Sequence, residues 1–389
     1  MKKILKFPKD FLWGSSISAY QVEGGIENCD WSKFENAGVA CDHYNLFEED
    51  FDLVKNLNQN AFRFSIEWSR IEPKEGNFDK KEIEHYRKVL LALKTRNIKS
   101  VVTLWHWTNP LWLAEKGGWS NKEAVYFFSR YTKVISEELG DLIDFWVTLN
   151  EPLVHISNGY LQGIFPPNKK DVVLAIKTFR NLVKAHQEAY DIVHQKYPEA
   201  KVSVTAISNF FKPARKWLAL ERFLAFLFHY FWNHLFLKKI KKHIDYIGVD
   251  YYFAHQVVFY PPFLKKFTDL VSDINWEIYP EGLYWVLKNL SKFKKPIYIL
   301  ENGLADSKDK FRKDFIKEHL VWIHKAIEEK IDVKGYFHWS LIDNFEWDRG
   351  FWPRFGLIEI NYQNLERKPR PSAFYYAKIC KENCLEINN

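Results

Sequence analysis

Two acidic side chains stand at the ends of short apolar runs. In FWVTLNEP, residues 145–152, the apolar stretch ends in Asn150, Glu151 and a proline that stops a β-ladder. A carboxyl there, beside Trp146 and the Pro152 turn, has its charged form disfavoured by partial desolvation and can hold a proton for a leaving oxygen. Taken alone, Asn-Glu-Pro reads equally as the start of a helix. In PIYILENG, residues 296–303, a second apolar stretch ends in Glu301, Asn302 and Gly303. Two carboxyls flanking one bond, about 5 to 5.5 Å apart, are the equipment of glycoside hydrolysis with retention: one attacks, and the other protonates the leaving oxygen and later deprotonates water.

An attacking carboxylate must stay ionised and be aimed, which asks for a cation and a hydrogen-bond donor nearby. Arg63, inside the apolar run AFRFSIEW, and the Tyr252 hydroxyl, in GVDYY, are the candidates. An arginine flanked by Phe62 and Phe64 is a poor fit to an ordinary surface position. Sugar hydroxyls need both donors and acceptors, and Gln21, His106, Asn150 and Glu346 supply both kinds. Trp339 and Trp347 offer apolar faces against which the C–H side of a sugar ring can pack. Each tryptophan by itself would be read as core; their shared place near strand ends changes that reading.

Eight β-rich runs can be placed along the chain, at Phe11–Ser16, Ala61–Ile66, Ser100–Trp105, Phe145–Leu149, Lys201–Ile207, Tyr246–Tyr251, Pro296–Leu300 and Gly335–Ser340. Stretches with helical periodicity separate them, at Phe47–Leu57, Lys80–Arg96, Lys122–Leu139, Asp171–Tyr197, Leu218–Lys242, Glu281–Leu290 and Lys310–Lys330. This alternation predicts an α/β fold, a single (β/α)8 TIM barrel over residues 1–389, although an open doubly wound sheet would give a similar string. The placement of the chemistry separates the two. Gln21, Arg63, His106, Asn150, Glu151, Tyr252, Glu301, Trp339, Glu346 and Trp347 fall on the strands, at their C-terminal ends or in the loops that follow, where barrels of this kind carry their active sites.

Composition narrows the class further. Of 389 residues, 47% are hydrophobic and 27% charged, the balance of a folded globular protein, while 17% are aromatic, including 16 Trp. The net charge of +7 comes largely from short lysine clusters at positions 238–242 and 292–295, which read as solvated helix faces, with no nucleic-acid motif beside them. Four cysteines without a Cys-x-x-Cys pair are too few for a disulfide scaffold and suit a reducing cytoplasm. The beginning, MKKILKFPKDFLWGSS, lacks the apolar run of a signal peptide and reads as mature protein. Trp217–Leu237 is strongly apolar, but Glu221, Arg222, His229, Asn233 and His234 interrupt it, so a buried or partner-facing helix is expected there rather than a membrane span.

Seven blocks, FLWGSSISAYQVEG, HYNLFEEDFDLVKNLNQNAFRFSIEWSRIEP, VVTLWHWTNPLWL with GGW, WVTLNEP, IGVDYY, IYILENG and HWSLIDNFEWDRGFWPRFGL, resemble glycoside hydrolase family 1, the β-glucosidase and β-galactosidase family, in the family's order. The resemblance runs from Phe7 to Tyr376. It implies Glu151 as acid/base and Glu301 as nucleophile, with Arg63 and Tyr252 beside it. It also implies that Gln21, His106, Asn150, Trp339, Glu346 and Trp347 hold the non-reducing sugar of a small β-glycoside or short oligosaccharide, with no cofactor, metal or nucleic acid. A carboxylate at Glu346, where a phospho-sugar branch carries Ser, favours a free C6 hydroxyl. The sequence departs from the family at Asp250, where Asn is usual, and at Leu300, where Thr is common. It is also shortened between Gly25 and Cys41 and between Asn209 and Asp245, which predicts a more open aglycone side. Leu224–Leu237, in the second shortened stretch, is expected to pack on the barrel or to form a homo-oligomer or lipid contact. Two rivals remain: a non-catalytic sugar-binding protein on the same scaffold, and a metal-dependent hydrolase built on His106, His155 and His338, which lack a metal-binding spacing.

Overall fold

The computed structural model describes residues 2–388. Eight parallel strands close into a barrel in chain order: β1 (Leu12–Ser16), β2 (Ala61–Ser65), β3 (Lys99–Trp105), β4 (Phe145–Asn150), β5 (Lys201–Ile207), β6 (Ile247–Asp250), β7 (Ile297–Gly303) and β8 (Val333–Trp339), with β8 pairing back onto β1. All eight expected strands are present, the fifth with both ends as expected and the others with ends shifted by at most three residues, and closure excludes the open sheet.

The wall separates two apolar regions. Alternate residues point inward, where Ala61, Val101, Phe145, Val147, Tyr246, Tyr298, Leu300 and Phe337 form an interior cluster. Gly14 is required there, because a Cβ would lie 2.5 Å from the Phe337 ring. The outward-facing residues meet the helices in a much larger core that includes Phe62, Val102, Leu104, Trp146 and Ile299.

The surrounding helices are α1 (His43–Asn56), α2 (Lys80–Thr95), α3 (Ala124–Leu139), α4 (Val172–Lys196), α5 (Ala219–His229), α6 (Pro280–Leu290), α7 (Arg312–Glu328) and α8 (Pro371–Glu382). In α4 the local logic is visible. The Asp171 carboxylate accepts from the amides of Val173 (2.7 Å) and Leu174 (3.0 Å), a cap contributing about 1 kcal/mol. Ala175, Thr178, Leu182, Ala185, Ala189 and Val193 then bury one face at helical spacing, and the helix ends beside Pro198.

The sequence reading missed α8, whose pattern is short. It also missed the three-stranded sheet of Phe210–Pro213, Ala254–Val257 and Leu264–Lys265 above the barrel. The stretch expected as one helix over Leu218–Lys242 is α5, a π-helical turn at Tyr230–His234 and a helix at Leu235–Ile240. The turn places Asn233 inward, where it donates to the Asn209 carbonyl (2.8 Å) and accepts from the Asn209 amide (2.9 Å). Leu224, Ala225, Phe228 and Trp232 pack on Phe211 and Val257, so this segment does lie against the body of the protein. Among the described residues no helix is long and apolar enough to cross a membrane.

Candidate active site

The C-terminal ends of the eight strands surround a cavity of about 360 Å³. Gln21, His106, Asn150, Glu151, Tyr252, Glu301, Trp339, Glu346 and Trp347 all line it. Arg63 lies beneath the floor, fully buried, and is the hub of the polar network. Its Nη1 donates to Glu301 Oε1 (2.5 Å), its Nη2 to Asn150 Oδ1 (2.5 Å) and its Nε to Thr103 Oγ1 (3.2 Å). Tyr252 OH donates to the other Glu301 oxygen (2.9 Å). Glu301 is thereby fixed from both sides, as a planar guanidinium and a rigid phenol can do.

Local irregularities put these groups there. Leu300 faces the barrel interior, so strict alternation would send Glu301 outward. Instead the register of β7 slips between Ile299 and Glu301 against β6, and re-aims the carboxylate inward. A similar shift separates Val147 from Asn150 on β4. Glu151 then takes a left-handed backbone conformation (φ 42°), uncommon for a residue with a Cβ, where the chain turns into the Pro152–Ile156 helix. Both readings of Asn-Glu-Pro are therefore realised: Glu151 begins a helix and lines the cavity. Gly303 lets β7 approach β8, since a Cβ would lie 1.8 Å from the Trp339 carbonyl oxygen. Asn302 points away from the cavity and ties β7 to its neighbours, donating to the Tyr251 carbonyl (2.8 Å) and accepting from Tyr336 OH (3.1 Å).

Carboxylate oxygens of Glu151, Asp250 and Glu301 lie within 4.8 Å of one another, all buried. Burial raises the pKa of each, but the neighbours differ. Glu301 has Arg63 and the Tyr252 hydroxyl to offset desolvation. Glu151 is pushed well above the usual carboxyl range by burial, then by Asp250 and Glu301, and its Oε1 meets no protein hydrogen-bond partner. Asp250 is pushed well up by burial and then by Glu301. The arrangement divides the pair into one anion and one acid.

The other polar groups of the cavity are also fixed. Gln21 Nε2 donates to Asn344 Oδ1 (3.0 Å) and the Phe345 carbonyl (2.8 Å), while Ser18 donates to Gln21 Oε1 (2.7 Å). His106 Nε2 lies 3.1 Å from Asn150 Nδ2, and burial together with Arg63 holds the imidazole pKa well below its ordinary value. It is therefore neutral. Its ring lies nearly parallel to Trp339 (6.2 Å) and Trp347 (6.0 Å). Burial and then Glu301 push Glu346 up to about 8, which favours its protonated form near neutral pH.

Sequence reasoning left β5 without a role and missed several cavity residues. Thr205 of β5 donates to Asn150 Oδ1 (2.6 Å), and Asn209, Trp107, Phe253, His255 and Trp276 line the cavity. Trp107, next to His106, was within reach of inspection. The high aromatic content signalled the others only collectively.

The three histidines of the metal reading do not meet. His155 packs against Trp105 (5.0 Å) and Tyr160 (5.6 Å), and His338 lies 6.4 Å from Tyr376 of α8. Among the described residues, the one group spaced to hold a cation is Glu151, Asp250 and Glu301. Both oxygens of Glu301 are already engaged, and Arg63 already provides a positive charge at that place.

A (β/α)8 barrel with two buried carboxyls across a sugar-sized cavity defines a glycosidase scaffold. The chain belongs to glycosyl hydrolase family 1, matched over residues 4–240 and 236–385, and is a retaining β-glycosidase. It is similar to beta-glucosidase A of Thermotoga maritima, with 34% identity over 444 aligned positions covering 98% of this chain and 99% of that protein. The alignment is longer than this 389-residue chain, as expected for a shortened member. A beta-glycosidase from Pyrococcus horikoshii superimposes with a TM-score of 0.92 at 37% identity, covering 100% of this chain and 97% of that one. The Thermotoga maritima beta-glucosidase in complex with galacto-hydroximolactam superimposes with a TM-score of 0.91 at 32% identity, covering 97% and 99%.

Proposed function

We propose that the whole chain works as one barrel domain, in the cytoplasm, removing a terminal β-D-glucosyl residue, with galactosides and fucosides as slower substrates. Glu151 donates its proton to the glycosidic oxygen while Glu301 attacks the anomeric carbon, and the bond to the aglycone breaks as the glycosyl ester forms. Glu151, now ionised, takes a proton from water, which attacks the anomeric carbon and releases Glu301. An alcohol in place of water gives transglycosylation by the same path. Arg63 and Tyr252 keep the nucleophile charged and aimed; Gln21, His106, Asn150 and Glu346 bond the sugar hydroxyls, and Trp339 and Trp347 face the ring.

The observation that carries this reading is the asymmetry of the carboxyls: Glu301 accepts from Arg63 and Tyr252, whereas no protein donor meets Glu151 Oε1, whose near neighbours are the acids Asp250 and Glu301. The glucose preference draws on the beta-glucosidase relatives, and the galactoside activity on a galacto-configured ligand in one of them. A panel of nitrophenyl β-glycosides, with the first-formed sugar anomer followed by proton NMR, tests it. The glucoside should have the highest kcat/KM and release β-glucose first; initial α-glucose would reject the two-step route. Dialysis against a chelator should leave the rate unchanged, and a tenfold loss restored by a divalent ion would reinstate a metal role.

Asp250 provides a pH prediction. It faces Arg63 of β2, Glu151 after β4, Thr205 of β5 and Glu301 of β7. Once ionised, Asp250 disfavours loss of the remaining proton from Glu151, so kcat/KM falls only at high pH. Asp250→Asn removes that charge and lowers the Glu151 pKa, moving the basic limb of the kcat/KM profile to lower pH by about one unit or more. An unmoved limb would mean that Asp250 is uncharged throughout.

A further inference from the structure

The outward face of α5 carries no charge at its centre. Leu220, Phe223, Phe226 and Leu227 point to solvent, with Phe223 56% and Phe226 62% exposed, while Glu221 and Ala225 on the opposite side are buried. Trp217, 78% exposed, extends this face just before the helix, and the loop tip at Phe259, Tyr260 and Phe263 extends it beyond. Arg215 joins the two parts, its guanidinium carbon 5.9 Å from the Trp217 ring and 5.0 Å from that of Phe259. Monomeric proteins seldom leave so many large apolar side chains together in water.

The chain flanking the patch is predominantly basic: Lys212, Arg215, Lys216 and Arg222 adjoin it in sequence, and Lys265 and Lys266 follow the 259–263 tip. Between Ile207 and Asp245 the single acidic residue is Glu221, which is bound by Arg215. An apolar face ringed by cations matches an anionic bilayer, into whose headgroup layer aromatic and leucine side chains insert while Lys and Arg meet phosphates. A second copy of the chain fits less well, because face-to-face packing would bring the two basic rims together.

Aromatic packing beneath α5 reaches the cavity. Trp276 lines the cavity and lies 4.7 Å from Phe253; from there rings run through His255 (6.1 Å), Phe211 (5.5 Å) and Phe228 (5.6 Å) of α5. The cavity wall at Phe253, His255 and Trp276 and the underside of α5 thus share one packed aromatic layer, with the exposed patch on the outer side of the same helix.

We propose that the α5 face and the 259–263 loop dock on anionic lipid bilayers, presenting the cavity mouth to β-glycosides whose aglycone is a lipid chain. The choice of aglycone rests on the glycosidase reading above; the docking does not. The test is sedimentation with vesicles of phosphatidylcholine alone and of phosphatidylcholine with one-third phosphatidylglycerol, for the wild type and for Phe223→Ser/Phe226→Ser. The wild type should partition at least tenfold more strongly onto the anionic vesicles, and the variant should lose at least tenfold of that partition. The variant should keep its rate on a soluble nitrophenyl glucoside and lose rate on octyl glucoside embedded in the same vesicles. Equal partition of wild type and variant, or none by either, overturns the proposal. A concentration-dependent dimer in light scattering that the variant abolishes overturns it in favour of a second copy. Failure of the soluble substrate alone would instead strike the catalytic assignment.

Discussion

Glu301→Gln should lower kcat/KM on nitrophenyl β-glucoside by about 10^5-fold, equivalent to roughly 7 kcal/mol of transition-state stabilisation. The amide is a poor nucleophile and carries no charge to meet the developing oxocarbenium ion, so both of the carboxylate's tasks are lost together. Arg63 also keeps its other bonds, to Asn150 and Thr103, so the floor of the cavity stays assembled. Circular dichroism melts should accordingly be close to wild type. A smaller side chain, as in Glu301→Gly, opens room for an external anion to attack in the missing group's place. Azide should then yield the α-glycosyl azide, a single displacement with inversion. A rate within tenfold of wild type for Glu301→Gln would refute the nucleophile assignment.

Glu151→Gln should behave differently because its proton matters in proportion to how poor the leaving group is. On an alkyl glucoside, whose alkoxide needs that proton, kcat should fall by about 10^3- to 10^4-fold. On a dinitrophenyl glucoside the first step survives, and the glycosyl–Glu301 ester accumulates because no base activates water. Azide needs no general base; it should restore turnover and give the β-glycosyl azide, with stereochemistry opposite to that of the Glu301 variant. Mass spectrometry of the quenched enzyme and NMR of the azide product check both parts. An α-azide here would mean that the two carboxyls have exchanged roles.

Those opposite outcomes depend on features of unequal visibility in the sequence. The strands and most helices were legible because burial on the inner, helix-facing or both sides forces an apolar pattern of the proper period. The candidate residues were legible because polar and aromatic types gathered at strand ends. Less visible was the cause of each orientation. Alternation alone would turn Glu301 away from the cavity, and the slip in β7 that corrects this depends on how it pairs with β6, a non-local matter. The break at Tyr230–His234 is likewise dictated by Asn233 bonding to Asn209, a contact between chain segments that periodicity cannot report.

From its residues alone the chain determined an eight-strand alternation, two glutamates on strand ends, an arginine and a tyrosine fit to attend one of them, and an apolar stretch after the fifth strand. These follow from side-chain chemistry and local spacing, which a linear string preserves. The tertiary structure decided which glutamate is paired with a cation, how closely Asp250 approaches both, and which side of α5 faces water. Charge interaction and burial depend on distance through space, and that distance exists only once the barrel has closed.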